Sequence, residues 1–222
     1  MIGAVTTTVA ATRIGAAFSQ SRRKQPAWRE ITAYHREVPI LLKSPRVTLR
    51  PMERTDIPTF QRWINDRSVN RWLLVRWPIS IDEETRWYEG MLQSGTDRVL
   101  TIVAPDGTAI GNIGLHRIDH RHGHAELGIA IFEEKYQGRG MGTDAIVTLL
   151  RFAFEEMHLH RVALTVQEAN GRARRCYEKC GFQVEGVDRE SVFTAGLYIN
   201  MVRMAVLERE FFALHGAPGR QP

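Results

Sequence analysis

The sequence predicts an α/β fold of the α+β kind: a mixed, mostly antiparallel central sheet of about seven strands, flanked by about four helices. Three observations predict it. From residue 46 onward, apolar runs of strand length interleave with amphipathic stretches of helical spacing, in the order β, α, α, β, β, β, α, β, α, β, β. Two pairs of runs meet at hairpin signals, around Pro105-Asp106-Gly107 and Thr194-Ala195-Gly196. A content of 43% hydrophobic and 25% charged residues is that of a packed globular chain, and no stretch reaches the roughly eighteen apolar residues of a membrane-spanning helix.

Residues 45–51 form the first short strand. Asp56 and Pro58 open a helix whose Phe60, Trp63 and Ile64 share one face. Ser80 and Glu83 have the spacing of a capping box, which starts a second helix running through Gln93. The runs 99–103 and 109–115 pair about the 105–107 turn, and 119–123 turns the chain again. The run 125–131 is then a mostly buried central strand. Ile146, Leu149, Leu150, Ala153, Phe154 and Met157 give residues 142–158 an amphipathic helical period. Val162, Leu164 and Val166 alternate as a strand. Asn170 is suited to cap a helix to Lys179, with Gly181 as its left-handed stop. Residues 182–193 and 197–207 close the domain as a long hairpin.

One domain over residues 44–210 accounts for these signals, with an N-terminal extension over 1–43 and a C-terminal tail over 211–222. The extension reads as flexible or surface-docked. The formal charge of +5 is carried by Arg13, Arg22, Arg23, Lys24 and Arg29, so the rest of the chain is balanced. Attraction to nucleic acid would therefore belong to the extension, not to the body. Cys176 and Cys180, one helical turn apart, suit neither a relaxed disulfide nor a zinc site, so a reducing, cytoplasmic setting is expected.

The chemistry is concentrated in Gln137-Gly138-Arg139-Gly140-Met141-Gly142, between a strand and a helix start. Its glycines let the backbone curl round a ligand, and the helix N-terminus behind them favours a phosphate. It is neither a P-loop nor a dinucleotide fingerprint. The second signal, Asn170 to Phe182, is by itself a capped helix with a packing aromatic, Tyr177.

Together, Gln137-x-x-Gly140-x-Gly142 and Asn170 with Tyr177 and Gly181-Phe182 resemble the coenzyme A motifs of the GNAT superfamily of N-acetyltransferases. Phrases such as His124-Ala-Glu-Leu-Gly128 and Phe182-Gln-Val-Glu-Gly186 are similar to the spermidine and ribosomal-protein N-terminal acetyltransferase branches. The resemblance implies a GNAT-like sheet with a splayed pair of parallel strands, the pantetheine arm of acetyl-CoA adding to the opened edge. Ile129 and Ile131 would offer backbone groups to the arm, Gln137, Gly138, Arg139, Gly140, Gly142 and Thr143 would hold the pyrophosphate, and Asn170 would bond the pantetheine. Glu126 is implied as the base, directly or through water, and Tyr177 as the acid at the departing sulfur.

The resemblance thus implies transfer of acetyl from acetyl-CoA to a primary amine in a ternary complex, with no metal and no acyl-enzyme. The acceptor stays open among a polyamine, a peptide N-terminus and an aminoglycoside-like molecule, and a homodimer stays open as the assembly. The rival functions are a non-catalytic acyl-CoA sensor and an acetyltransferase carried on a nucleic-acid-binding tail. His116, His120, His122 and His124 read as a solvated hairpin rather than a metal site. Trp63, Trp72, Trp77 and Trp87 lie in the region that roofs the acceptor pocket in that superfamily. The arginines mixed among the acids there are a poor match to a polyamine.

Overall fold

A computed structural model describes residues 42–75 and 77–216, apart from the side chains of Ser68 and Val69. Its strands are β1 (Leu42–Lys43), β2 (Thr48–Pro51), β3 (Arg98–Val103), β4 (Ala109–Asp119), β5 (His124–Ile131), β6 (Arg161–Gln167), β7 (Gln183–Thr194) and β8 (Leu197–Leu207). They form one sheet in the order β1-β2-β3-β4-β5-β6-β8-β7. Every neighbouring pair is antiparallel except β5 and β6. The helices are α1 (Ile57–Ile64), α2 (Arg67–Asn70), α3 (Ile81–Gln93), α4 (Met141–Glu155), α5 (Gly171–Lys179) and α6 (Glu208–His215).

The expected class holds, with additions where the sequence signal is short. Strand β1 has two residues, too few for alternation to register, and α2 is a single turn. Helix α6 follows β8 without a break, and its Phe211 is fully buried, with its ring 5.4 Å from that of Phe154. Residues 211–215 are therefore helix rather than tail, and Phe211 belongs to the core. The extension expected over 1–43 lies outside the described residues except for Leu42 and Lys43, which are sheet; so do residues 217–222.

Alternation along the strands builds a core on each face. Helix α4 turns Ala145, Ile146, Leu149, Leu150, Ala153 and Phe154 onto Ile113, Leu115, Leu127, Val162 and Leu164. Each large side chain so buried contributes about 1.5–3 kcal/mol. On the other face α1 and α3 pack Ile57, Phe60, Trp63, Tyr88 and Met91 against Met52, Val99 and Phe132. The Ser80 box forms as expected: the Glu83 amide donates to Ser80 Oγ at 3.2 Å and the Ser80 amide to Glu83 at 2.8 Å.

Asp56 does not cap α1 with its side chain. Its carboxylate accepts two bonds of 2.7 Å from the Arg50 guanidinium and one of 3.0 Å from the Thr101 hydroxyl, which ties the start of α1 to the sheet. Burial alone would raise this carboxyl, but the Arg50, Glu53 and Thr101 hydrogen bonds outweigh it and leave it below its ordinary value.

The parallel pair is the exception that matters. β5 and β6 share three rungs, His124 with Arg161, Ala125 with Val162 and Glu126 with Ala163. Beyond them the strands part, while β5 stays paired with β4 as far as Ile131 and β6 with β8 as far as Gln167. The sheet is forked at its centre.

Candidate active site

A cleft of about 530 Å³ opens from the fork. Leu127, Ile129 and Ile131 line it from the α4 side and Gly128 and Ala130 from the α1 side, so it passes through the sheet rather than lying on it. The unpaired edge of β5 faces this space, and an extended chain bearing amides could add to it as a strand.

The glycine loop enters the cleft from the β5 end. Gly138 and Gly140 have φ of +74° and +81°, a region that side chains strain to enter. Gly140 is the left-handed cap of α4, and a Cβ there would lie 2.6 Å from Arg46 Nη1, whose guanidinium pairs with Asp144 at 3.3 Å. The first amides of α4 have no intrahelical partner and, with the helix dipole, suit a phosphate. Gln137 latches the loop: its Nε2 donates to the Ile131 carbonyl at 2.7 Å and its Oε1 accepts from Arg172 at 2.7 Å. That carbonyl keeps a second lone pair for a ligand amide. Asn170 caps α5 by accepting the Ala173 amide at 3.1 Å, which leaves its own NH₂ without a partner among the described residues. Arg172, Arg175 and Lys179 line the same end with positive charge.

Tyr177 stands in the cleft with its ring edge-on to Phe182, 5.8 Å between centroids. Burial is the main cause that raises its phenol well above the ordinary value, so it stays protonated and able to donate. Its hydroxyl has no hydrogen-bond partner among the described residues. Cys176 also lines the cleft, 3.3 Å from Thr143 Oγ1. A hydrogen bond with Cys180 is the main cause that lowers this thiol, with Thr143, Lys179 and Arg172 adding to it. No carboxylate or imidazole lines the cleft beside it among the described residues.

The other side of the cleft is assembled from segments that lie far apart in the chain. Arg71, Trp72, Leu73 and Leu74 roof it, and Thr165, Gln167 and Met201 form its floor. Gln167 Nε2 donates to the Arg71 carbonyl at 3.2 Å, which pins the roof to β6. The Arg71 guanidinium lies over the Trp72 ring, 5.2 Å from its centroid. Of the four clustered tryptophans, Trp63 stacks on Phe132, Trp77 and Trp87 are 80% and 42% exposed, and Trp72 reaches the cleft. Sequence patterns single out Trp72 only as one of a cluster and Arg71 only as one of several arginines in the same segment, and they miss Thr165 and Gln167 because nothing local marks them.

Of the residues expected at the site, Ile129, Ile131, Gln137, Gly138, Gly140, Gly142, Thr143, Asn170 and Tyr177 line this one cleft. Arg139 and Glu126 do not. Arg139 is exposed between the two left-handed glycines. Glu126 sits on the last rung of the fork, and its carboxylate is engaged by the Arg117 guanidinium. No group of three or more His, Cys, Asp or Glu side chains is placed to hold a metal among the described residues, nor is any helix there long and apolar enough to cross a membrane.

Known proteins share this arrangement. The family model described as an acetyltransferase (GNAT) domain matches residues 46–183. Spermidine N(1)-acetyltransferase of Escherichia coli K12 is 32% identical over 174 residues, which cover 78% of this chain and 92% of that protein. A ribosomal N-acetyltransferase-like protein of Bacillus subtilis, YdaF, is 36% identical over 106 residues, covering 48% of this chain and 57% of that protein. The crystal structure of spermidine N-acetyltransferase from Vibrio cholerae in complex with CoA and spermine superposes with a TM-score of 0.72 at 28% identity, covering 76% of this chain and 99% of that one. With the fork, the glycine loop and the cleft-facing phenol in place, these matches establish that the chain belongs to the GNAT family of acetyltransferases.

Proposed function

We propose that this N-acetyltransferase lays acetyl-CoA along the open edge of β5 and passes the acetyl group to a primary amine that reaches the thioester from the α1 face. The observation that carries the reading is that the phosphate-suited loop, the fork and Tyr177 share a single cleft that pierces the sheet. The pyrophosphate would meet the amides of residues 138–143 and the charges of Arg172 and Arg175. The pantetheine amides would meet Ile129, Ile131 and Asn170. The amine nitrogen would attack the thioester carbon directly. As the C–S bond breaks, the thiolate would take the Tyr177 proton.

An alkylammonium must lose its proton before attack, at a cost of about 4–5 kcal/mol at neutral pH. The groups that stand near the fork on the acceptor face are Glu126 and, opposite it in register, His116.

The acceptor side favours an amine that carries no second positive charge. Among the described residues, the cleft lining contains Arg71 and no carboxylate, so a polyamine would find a repelling cation and no counter-charge. A peptide N-terminus, flanked by neutral or acidic groups, fits the indole and guanidinium of Trp72 and Arg71. The two free thiols accord with a reducing, cytoplasmic setting.

Thiol release from acetyl-CoA, measured with spermidine, an aminoglycoside and short peptides of varied first residue, tests this assignment. Peptides should be turned over with the highest kcat/KM. Preference for spermidine would reverse the acceptor assignment, and calorimetry that detects no acetyl-CoA uptake would remove the reaction itself.

A further inference from the structure

His116 and Asp97 form a hydrogen-bonded pair beside the fork, and the transfer as described so far leaves it idle. His116 Nδ1 lies 3.0 Å from Asp97 Oδ1. The other Asp97 oxygen accepts the Ser94 hydroxyl at 2.6 Å and the Thr96 hydroxyl at 3.1 Å, and Ser94 Oγ also accepts the Asp97 amide at 3.0 Å. Hydrogen bonding from Ser94 first, then from His116 and Thr96, holds this carboxyl at about 2 against the opposing effect of burial. A carboxylate can only accept, so Nδ1 carries a proton, and in the neutral imidazole Nε2 then holds the lone pair.

Two glycines make room for that nitrogen. Gly114 and Gly128 oppose each other across β4 and β5. A Cβ at Gly128 would lie 3.2 Å from His116 Nε2, and one at Gly114 would lie 3.3 Å away. His116, like Glu126, is not itself among the cleft-lining residues, but Gly128, against which its Nε2 lies, lines the cleft two residues beyond the last rung of the fork, so Nε2 is directed along the sheet towards the opening. No described residue hydrogen-bonds to it. The charged groups nearest the ring are Asp97, just before β3, Arg117, its neighbour on β4, and Glu126 on β5. Glu126 is directly opposite His116 but is already engaged by Arg117.

We infer that His116 Nε2, oriented by Asp97, is the group that takes the proton from the attacking amine, and that Glu126 is not. The inference rests on the acetyltransferase reading above. The ammonium N–H bond breaks as Nε2 gains the proton, and the freed pair forms the C–N bond at the thioester carbon. The C–S pair leaves as thiolate and takes a proton from Tyr177; the imidazolium returns its proton through solvent to restore the phenol, and the second proton on the acylated nitrogen is lost to solvent to leave the neutral amide. Imidazole is better matched to this task at pH 7 than a carboxylate, because a general base works best with its pKa near the operating pH.

Three variants, His116→Gln, Asp97→Asn and Glu126→Gln, test this in the thiol-release assay from pH 6 to about 9.5, with whichever amine the wild type turns over. At pH 7, His116→Gln should lower kcat/KM about a hundredfold. The loss should shrink as the pH approaches the amine's own pKa, and acetyl-CoA affinity by calorimetry should stay within about twofold. Asp97→Asn should lose about tenfold and Glu126→Gln less than about threefold.

A large loss in Glu126→Gln, a wild-type rate in His116→Gln, or a His116→Gln loss equal at every pH would overturn the inference. If the wild type acetylates no amine, the acetyltransferase reading is what has failed. The His116 ring signal of coenzyme A-loaded protein, followed by NMR, then decides this site independently: it should shift when ethylamine is added, and a signal indifferent to ethylamine overturns the inference.

Discussion

On the α4 face of the sheet a ligand would be met chiefly by backbone: the parted edge of β5, the amides behind Gly138 and Gly140, and the carbonyl that Gln137 holds in place. On the α1 face it would be met by side chains brought from far apart, Arg71 and Trp72 from the loop after α2 and Thr165 and Gln167 from β6. Backbone recognition needs particular glycines at fixed spacing, because a Cβ would fill the cradle or strain its φ. Side-chain recognition needs only that the fold bring the residues together. The first kind of site is therefore written locally and the second is not.

Tyr177 stands where the two halves meet, and its removal is expected to have the largest effect among substitutions in the cleft wall. Tyr177→Phe should lower kcat about a hundredfold with acetyl-CoA affinity held within about twofold. Weakened binding with kcat unchanged would make Tyr177 a packing residue. Because burial raises the phenol, the folded state holds this proton after the unfolded chain has begun to release it, so the wild type loses stability as pH climbs past about 10. The melting temperature of the phenylalanine variant should fall less steeply there.

Gly140→Val probes the backbone half alone. The left-handed φ and the Arg46 contact together should weaken acetyl-CoA binding by about ten- to thirtyfold, the equivalent of about 1–2 kcal/mol. Titration calorimetry reads this directly, and unchanged affinity would mean that the loop does not hold the phosphates.

Trp72→Ala probes the other half. It should raise the acceptor KM about fivefold and leave acetyl-CoA binding untouched, in keeping with the modest energies of single aromatic contacts. A loss of coenzyme affinity instead would erase the distinction between the two faces. The smallest effect is expected at Cys176, beside which no carboxylate or imidazole lines the cleft among the described residues: Cys176→Ser should change turnover by less than about twofold and abolish no burst, as direct transfer requires. Loss of activity would point to an acyl-enzyme.

Local patterns gave the strands from β2 to β8, the helices α1, α3, α4 and α5, the Ser80 and Asn170 caps and the phosphate-suited turn. Each of these rests on spacing within about a dozen residues. They could not give β1, which is strand only because Leu42 and Lys43 find Leu49 and Thr48. Nor could they give α6 its place in the core, which depends on Phe154 receiving Phe211.

By itself, then, the sequence determined where backbone would be free to approach a phosphate, because glycine spacing is a property of consecutive residues. The tertiary structure decided which side chains face the acceptor. It paired Glu126 with Arg117, and it brought Asp97 behind His116 while leaving Gly114 and Gly128 bare beneath the ring. Those relations join residues from different strands, and only the register of the sheet, set by burial of its two faces, makes them neighbours.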